Sequence, residues 1–269
     1  MIAYLAYRIA EGAALRLPNA LADRMGVGLA RAAFALGVPA RRRLERNLAR
    51  LLATDDPRAI RCSARSAFEH FALGFTDFLR LTASGPGQID HTTELRGAEH
   101  LESARASGRG VIVLSAHLGG WERGAAFLAT RGVPLHVAAQ EHPSARIESL
   151  FERRRRAFGV RRLAGRPLWL SAARALRRRE WIAIMSDRGA PEAGASVCAW
   201  AAVVARRTGA LVLPAVMVRL PSGGYAACFE PPLSAEACAN GGFRMAMRAI
   251  LGRYPHQWCA FEPLPDGLA

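Results

Sequence analysis

The stretch VIVLSAHLGGWERGAAF, residues 111–127, joins an apolar run to a helical pattern through a histidine and two glycines. Residues 111–116 lie between turn signals and are mostly apolar, which is typical of a central strand in a parallel sheet. Residues 121–132 then carry the periodicity of a helix. Because open α/β sheets bind ligands at the carboxyl ends of their strands, His117 at this junction is a candidate functional residue.

The alternation of strands and helices extends along the chain and predicts the fold class. Residues 93–96 indicate a strand or a turn, and helical patterns separate the apolar runs that follow. Besides the run at 111–116, strands are predicted at 133–139, 181–187, 210–220 and 224–233. This order predicts an α/β fold with a central, mostly parallel sheet flanked by helices.

A helical region precedes the α/β part. Residues 1–83 show helical patterns throughout, and the glycines and proline of residues 82–90 interrupt them. We therefore predict an N-terminal helical region at 1–88 and an α/β domain at 89–269.

The first helix has an apolar face, made of Ile2, Leu5, Ile9 and Ala13. Such a face suits a helix at a membrane interface and also a helix packed on a core, and both alternatives stay open. The longest stretch without charge, 193–205, is shorter than the roughly 18 residues that a membrane-spanning helix needs. The sequence therefore predicts peripheral contact with a membrane rather than a membrane span.

The charge balance is strongly basic, with 37 basic residues, all of them arginine, against 22 acidic residues. A formal net charge of +15 favours an anionic partner, such as a phospholipid surface, an acidic carrier protein, a phosphorylated substrate or nucleic acid. The arginines are spread through amphipathic helices without interleaved aromatic residues, and aromatic residues make up only 7% of the chain. These features argue against nucleic acid as the partner.

The five cysteines are scattered and form no C-x-x-C pair. Neither a zinc site nor a disulfide framework is expected from this distribution, and a reducing cytoplasm suits it best. The sequence also lacks the G-x-S-x-G elbow that the usual serine hydrolases require.

Glu122 follows His117 by five residues and falls in the first turn of the predicted helix, where the helix dipole favours a carboxylate. From there it can orient one nitrogen of the imidazole and leave the other free to accept a proton. Gly119 and Gly120 permit a tight turn between the two. The residues alone leave a second interpretation open, in which Glu122 is a first-turn acid and His117 a hydrogen-bonded structural residue.

The segment GRGVIVLSAHLGGWERG resembles the core block of the bacterial lipid A biosynthesis acyltransferases, a block shared by the acyltransferases of phosphatidylinositol mannosides. The family's histidine and its acid five residues later map onto His117 and Glu122. Other segments resemble family blocks in the same order, namely ARRRLERNLARLL, LRGAEHLESARASGRG, FERRRRAFGV, IAIMSDRG, RRTGALVLPA and YPHQWCAFEPL. Residues 190–207 depart from the family pattern, which puts the acceptor in doubt.

The resemblance implies a glycerolipid acyltransferase-like fold and transfer of a fatty acyl chain from a thioester to a hydroxyl of a lipid or glycolipid. The donor would be acyl carrier protein or coenzyme A, with no cofactor or metal besides this co-substrate. His117 would be the general base and Glu122 its orienting acid. Backbone N–H groups near Gly119 and Gly120, or an arginine, would stabilise the thioester oxygen as it becomes negative.

Two further blocks imply substrate contacts. Arg155 and Arg188 are candidates for holding an acceptor phosphate or the donor's phosphopantetheine arm. Three of the four arginines in the run 153–156 are expected to face solvent. Asp187 can orient Arg188, bind an acceptor hydroxyl or serve as a turn residue.

The resemblance places the protein at the cytoplasmic side of the bacterial inner membrane, with an anionic lipid acceptor and no nucleic acid as partners. A non-enzymatic binder of nucleic acid or of an anionic membrane, acting through its arginine-rich surface, is the alternative function.

Overall fold

The computed structural model describes residues 2–83, 85–165, 167–188 and 196–264. Its α-helices are α1 (Ile2–Arg16), α2 (Asn19–Ala35), α3 (Pro39–Leu52), α4 (Pro57–Arg80), α5 (Pro86–His91), α6 (Ala98–Ala106), α7 (Trp121–Thr130), α8 (Ala145–Ala157), α9 (Leu168–Arg177), α10 (Val197–Thr208), α11 (Ala235–Ala239) and α12 (Gly242–Arg253). Its strands are β1 (Thr93–Arg96), β2 (Val111–Ser115), β3 (Leu135–Val137), β4 (Arg161–Arg162), β5 (Trp181–Met185), β6 (Leu211–Arg219) and β7 (Tyr225–Phe229). Short 3₁₀ helices cover Leu81–Ala83 and Pro255–Gln257.

The seven strands form one sheet in the order β1-β7-β6-β2-β5-β3-β4. All neighbouring pairs are parallel except β6 and β7, which are antiparallel. Helices cover both faces, so the predicted α/β fold with a mostly parallel sheet is confirmed. The two-residue strand β4 was not predicted, because so short a run carries no periodicity.

The strand predicted from residues 111–116 is the central strand of the sheet. All five residues of β2 are buried, and β5 and β6 flank it in parallel. Ile112 and Leu114 face the core between the sheet and helices α3, α4 and α9–α12. Val111 and Val113 face the core on the other side, which α5–α8 cover. Burial on both faces explains why this strand reads as a continuous apolar run rather than an alternating one.

The N-terminal helices share their core with the sheet. Leu44 and Leu48 of α3 and Phe68 of α4 are buried in the same cluster as Ile112 of β2. The predicted boundary near residue 88 falls within α5, before β1 begins at Thr93. The helical region is therefore contiguous in packing with the α/β part, and the division at 88 stays a prediction about the sequence.

Across the described ranges, no helix is both long and apolar enough to cross a membrane. The segment that departs from the family pattern, 190–207, begins outside the described residues, which resume at Ser196. Ser196 caps α10 by accepting a hydrogen bond from the Ala199 N–H at 3.1 Å. Trp200 and Val204 of α10 pack into the core beside the sheet.

Candidate active site

His117 and Asp187 meet at the carboxyl ends of two adjacent strands. Ser115, the last residue of β2, is in register with Met185, the last residue of β5. His117 and Asp187 each follow two residues later, so the parallel register brings them to the same edge of the sheet. The Nδ1 atom of His117 lies 2.8 Å from Oδ1 of Asp187. The backbone N–H of His117 donates to the other carboxylate oxygen at 2.9 Å.

Asp187 is only 2% exposed, yet it is held as a carboxylate. Burial alone would raise the pKa of Asp187, but the neighbouring His117 imidazole and hydrogen bonds from His117 and Trp258 lower it below its ordinary value. Trp258 donates its indole N–H to Oδ2 at 2.9 Å. Since the carboxylate only accepts, Nδ1 of His117 carries the proton and Nε2 is the nitrogen able to accept one.

The prediction that Glu122 orients His117 is therefore wrong, because that position is taken by Asp187. Glu122 lies in the first turn of α7 and pairs with Arg155 of α8. The Nε and Nη2 atoms of Arg155 lie 3.0 and 2.5 Å from the two carboxylate oxygens. Burial lowers the pKa of the Arg155 guanidinium, but the Glu122 carboxylate more than offsets this and the net pKa is raised. Asp187 contacts His117, so the alternative in which Asp187 orients Arg188 is also wrong.

Gly119 and Gly120 allow close backbone packing, but their N–H groups are not free to bind a substrate. Gly119 has a φ of +57°, and a Cβ there would lie 2.2 Å from the Met217 carbonyl oxygen. A Cβ on Gly120 would lie 2.5 Å from the Tyr225 ring. The N–H of Gly119 donates to the Gln257 carbonyl at 3.1 Å, and that of Gly120 donates to the Met217 carbonyl at 2.9 Å. Both donors are therefore occupied, which corrects the prediction that they stabilise a thioester oxyanion.

The C-terminal segment holds the histidine loop in place. Cys259 donates its backbone N–H to the His117 carbonyl at 2.8 Å, and Leu118 pairs with Trp258 in an antiparallel bridge. Together with the bond from Gly119 to Gln257, these contacts attach the loop on both sides of Leu118. The loop that follows β2 is thus fixed by residues more than 130 positions later in the chain.

Asn47 of α3 anchors that C-terminal segment in turn. It is 4% exposed, and its side-chain amide donates at 2.8 Å to the carbonyls of both Ala260 and Glu262. The buried amide thus has two backbone acceptors as hydrogen-bond partners. Asn47 had no predicted function, although it belongs to the segment ARRRLERNLARLL.

The arginine run at 153–156 is less exposed than predicted. Arg153 and Arg156 face solvent, but Arg154 is 4% exposed and donates to the Leu150 carbonyl at 3.0 Å and to Glu11. The Arg155 side chain is only 11% exposed and pairs with Glu122. Two of the four arginines, rather than three, are therefore solvated. The buried position of Arg154 depends on Glu11, which α1 brings over α8.

Arg188 lies at the rim of the site with its guanidinium partly exposed and 3.6 Å from Glu262. That separation makes a weak ion pair, and the guanidinium has donors left for a ligand. Arg188 thus differs from Arg155, whose charge is matched by a carboxylate at hydrogen-bond distance.

A cavity of about 360 Å³ opens beside His117 and extends along the sheet face beneath α7 and α8. It brings together four of the predicted site residues, His117, Glu122, Arg155 and Arg188. The other three predicted site residues, Asp187, Gly119 and Gly120, do not line the cavity. Asp187 binds His117, and the two glycines belong to the loop that carries it. The remaining lining is largely apolar, with Val113, Phe127, Leu128, Phe151, Met217 and Phe229 among its members.

Small residues make room for this cavity. Gly124 and Ala125 of α7 face Ala183, Ala215 and Ala227 of three strands, where larger side chains would fill the space. Gly124 also lets its helix approach Met217, since a Cβ there would lie 3.3 Å from the methionine Cβ. The described residues contain no group of three or more histidine, cysteine, aspartate or glutamate side chains placed to hold a metal. The site is thus an apolar pocket with a histidine–carboxylate pair at its rim.

Residues 3–261 match the family described as bacterial lipid A biosynthesis acyltransferase. The chain belongs to this family. It is an acyltransferase that acts on lipids. The match covers nearly the whole chain, so the helical region and the α/β part both fall within the family.

The acyltransferase is also similar to a phosphatidylinositol mannoside acyltransferase of Mycolicibacterium smegmatis (strain ATCC 700084 / mc(2)155). The two are 25% identical over 92% of this chain and 88% of the relative. The predicted resemblance to this family is therefore confirmed.

Two residues of the acyltransferase site had no predicted role. Trp258 binds the carboxylate of Asp187, and Gln257 accepts from Gly119 through its carbonyl and from the Arg219 N–H through its side chain. Both lie in the segment YPHQWCAFEPL, whose resemblance to a family block was the one available signal. Their contacts join residues 38 to 138 positions apart, so no local sequence pattern predicts them.

Proposed function

We propose that the acyltransferase moves a fatty acyl chain from a thioester, carried by acyl carrier protein or coenzyme A, to a hydroxyl of a lipid or glycolipid. The observation that carries this proposal is the His117–Asp187 pair at the rim of an apolar cavity. An acyl chain fits an apolar, sheltered cavity, and a hydroxyl nucleophile needs a base at its edge.

His117 is the proposed general base. As the acceptor oxygen attacks the thioester carbon, Nε2 of His117 takes the hydroxyl proton, and Asp187 stabilises the resulting imidazolium. When the carbon–sulfur bond breaks, the imidazolium returns that proton to the leaving thiolate. Help of this kind typically contributes about 10²- to 10⁴-fold in rate. The scheme needs no metal and no cofactor besides the thioester.

Arg188 is the proposed electrostatic partner of the substrates. The N–H groups of Gly119 and Gly120 are occupied, and Arg155 is paired with Glu122. Arg188 lines the cavity with donors to spare, so it is suited to bind a substrate phosphate or the developing oxyanion. Glu122 and Arg155 are proposed to position the cavity wall between α7 and α8 rather than to orient the base.

Loss of the base tests this function directly. Purified His117→Ala and wild-type protein are incubated with labelled acyl carrier protein or acyl coenzyme A and total bacterial lipid, and the labelled lipid is quantified. We expect His117→Ala to lose at least about 100-fold in turnover. His136→Ala is the matched control, since His136 also pairs with a carboxylate, Glu180 at 3.0 Å, but lies outside the cavity lining. Near-wild-type turnover of His117→Ala would contradict the mechanism.

The acceptor is proposed to be an anionic lipid or glycolipid. The family name refers to lipid A, and the mycobacterial relative is named for phosphatidylinositol mannoside, so both lipid classes belong in the acceptor assay. Identifying the labelled product by mass spectrometry distinguishes them. The predicted location at the cytoplasmic side of the bacterial inner membrane stays part of the proposal.

The alternative function is that of a binder without catalysis. It predicts tight, steeply salt-dependent binding to nucleic acid together with no acyl transfer. The His117–Asp187 pair and its apolar cavity have no use in such a binder, which favours the acyltransferase.

A further inference from the structure

Ser115, the last residue of β2, has a buried side chain that faces the apolar cavity. It is only 8% exposed and belongs to the cavity lining. Val113, two residues earlier on the same strand, lines the cavity as well, because alternate side chains of a strand share one face. Ile112 and Leu114 point into the opposite core. The hydroxyl of Ser115 is therefore a polar group set into the sheet face along which the cavity extends.

The Ser115 hydroxyl has no hydrogen-bond partner among the residues that the structure describes. By contrast, the Ser115 carbonyl accepts from the N–H and from the hydroxyl of Ser186, both at 2.8 Å. The strands on either side place apolar side chains next to the hydroxyl. These neighbours are Met185 of β5 and, from the register of the pairs before it, Ala215 of β6. A buried hydroxyl in such surroundings is unusual, since the large majority of buried polar side chains are hydrogen-bonded.

Ser115 differs from the other polar residues of the cavity. Those that line the described part of it are all more exposed than Ser115, namely His117, Glu122, Gln140, His142, Arg155 and Arg188. Glu122 and Arg155 moreover form an ion pair with each other. Ser115 is thus the buried polar group of this lining whose hydrogen bond has to come from what the cavity holds.

The place of Ser115 along the chain decides which part of a substrate it meets. His117 follows Ser115 by two residues, and two residues of extended chain span at most about 7 Å. The thioester carbon of a bound donor has to lie at His117, because the base takes the proton of the oxygen that attacks this carbon. An acyl chain that extends from there into the cavity passes Ser115 with its first carbons, before it reaches Val113. The Ser115 hydroxyl is therefore placed beside the second or third carbon of the chain.

We propose that Ser115 binds a hydroxyl group on the second or third carbon of the acyl chain, so that the enzyme prefers hydroxyacyl donors to unsubstituted ones. This inference rests on the proposed acyl transfer and names the class of acyl group that is transferred. A serine hydroxyl can both donate a hydrogen bond to a substrate hydroxyl and accept one from it. The substrate would thus supply the partner that the described residues do not.

An unsubstituted chain is disfavoured for the same reason. A wholly apolar chain excludes water from the Ser115 hydroxyl and leaves it buried without a hydrogen bond, which costs free energy. A site built to bind a hydroxyl of its substrate rejects the analogue that lacks this group. We expect the ratio of kcat/KM values to favour the hydroxyacyl donor by at least about tenfold.

Competition between donors of equal chain length tests the proposal with the full chain. Dodecanoyl, 2-hydroxydodecanoyl and 3-hydroxydodecanoyl thioesters of the carrier that supports transfer are mixed with total bacterial lipid, and the transferred chains are quantified by mass spectrometry. Ser115→Ala is expected to raise kcat/KM for the unsubstituted donor and to lower it for the preferred hydroxyacyl donor. The ratio of the two should then fall to within about twofold of one. A purely structural role of Ser115 would not move the two donors in opposite directions.

Ser186 supplies a matched control at the same edge of the sheet. It directly follows β5, is 1% exposed, and donates its hydroxyl to the Ser115 carbonyl. Ser186 is not part of the described cavity lining, so Ser186→Ala removes a hydroxyl without changing the cavity wall. We expect Ser186→Ala to lower the melting temperature and to leave the donor preference unchanged. Ser115→Ala is expected to melt no lower than wild type, since it removes a buried polar group without a partner.

Binding of free fatty acids gives a readout that does not depend on turnover. Dodecanoic acid and its 2-hydroxy and 3-hydroxy derivatives compete with a fluorescent fatty acid for wild-type protein and for Ser115→Ala. We expect wild type to bind one of the hydroxy acids more tightly than dodecanoic acid, and Ser115→Ala to lose this difference. If transfer fails with every donor while the difference in binding remains, the proposed function is wrong and the assignment of Ser115 is supported.

A wild-type enzyme that prefers the unsubstituted donor, or that shows no preference, would overturn the proposal. So would an equal loss of turnover with all three donors in Ser115→Ala, since the hydroxyl would then serve the thioester carbonyl that the donors share. A change of preference in Ser186→Ala as large as that in Ser115→Ala would also overturn it, because the effect would then come from the edge of the sheet and not from the cavity hydroxyl.

Discussion

The carboxylate that holds His117 belongs to Asp187, 70 residues later in the chain, at a distance of 2.8 Å from Nδ1. The pair exists because β2 and β5 are adjacent and parallel and end in register. His117 is therefore oriented by a residue of the neighbouring strand's end, and Glu122, five residues away in sequence, binds Arg155 instead.

Asp187→Asn separates orientation of the base from the shape of the site. The amide is isosteric but is not a pure acceptor, so it no longer fixes the Nδ1–H tautomer or stabilises imidazolium. We expect turnover to fall by about 10²- to 10⁴-fold with little change in the KM for the donor. Steady-state kinetics measure this, and thermal unfolding checks that the fold is retained. Glu122→Gln with a larger turnover loss than Asp187→Asn would restore the original prediction for Glu122.

The Glu122–Arg155 pair is expected to matter for stability. Its side chains are only 13% and 11% exposed, so Glu122→Gln leaves a mostly buried guanidinium without its hydrogen-bonded carboxylate. The expected loss is about 3 kcal/mol in the free energy of unfolding. The double variant Glu122→Gln/Arg155→Met is expected to recover most of it, as a double-mutant cycle in denaturant can show.

The exposed pair of Arg156 and Glu152 is the control for that cycle, because the Arg156 side chain is 72% exposed. Arg156→Met is expected to change the unfolding free energy by less than about 1 kcal/mol. A loss as large as that of Glu122→Gln would contradict the assigned importance of burial.

Ala227→Leu is expected to shorten the acyl chain that the enzyme accepts. Ala227 lines the cavity, and the isobutyl side chain of leucine would occupy cavity space near Phe229. Its neighbour Ala226 points into the opposite core, so Ala226→Leu is the matched overpacking control. Both substitutions are expected to cost about 1–3 kcal/mol in stability. Competition between long and short acyl donors should shift toward the short donor in Ala227→Leu alone.

His70 of α4 and His256 of the last 3₁₀ helix are expected to weaken the fold in acid. Their ring centres are 5.3 Å apart, and burial lowers the pKa of both below the ordinary 6.5. His70 further lowers the pKa of His256, while the Ser66 carbonyl partly offsets the lowering at His70. Because both pKa values are lower in the folded protein, the unfolded chain binds more protons as the pH falls below about 6.5.

The stabilising effect of neutral His70 and His256 is thus fully present above that pH and is lost as the pH falls through their folded-state pKa values. Melting temperatures between neutral pH and pH 5 should fall less steeply in His70→Gln/His256→Gln. The exposed His91→Gln serves as control, and an unchanged slope in the double variant would contradict the assignment.

The central strand and His117 were predictable because their signals are local. An apolar run between turn signals and a polar residue at its end need no knowledge of distant contacts. The partner of His117 was not predictable, because the local spacing favours Glu122. The pairing and register of β2 with β5 cannot be predicted from the sequence of either strand alone. A usable signal existed, since Asp187 ends the predicted strand 181–187 and His117 directly follows the predicted strand 111–116.

The corrected details all depend on long-range contacts. The N–H groups of Gly119 and Gly120 are occupied because β6 and the C-terminal segment come alongside them. Arg154 is buried because Glu11, 143 residues earlier, lies over α8. Periodicity along one segment predicts which face is buried, but not which distant polar group will meet it.

The hydrogen bond from Asn47 to Ala260 joins residues 213 positions apart, and the segment that Asn47 binds holds the loop of His117 in place. During synthesis the strands and His117 leave the ribosome well before residues 257–262 do. Because contacts between distant residues form late, the loop has no fixed geometry until that segment arrives. We expect a chain that ends before residue 257 to contain both His117 and Asp187 and still be inactive.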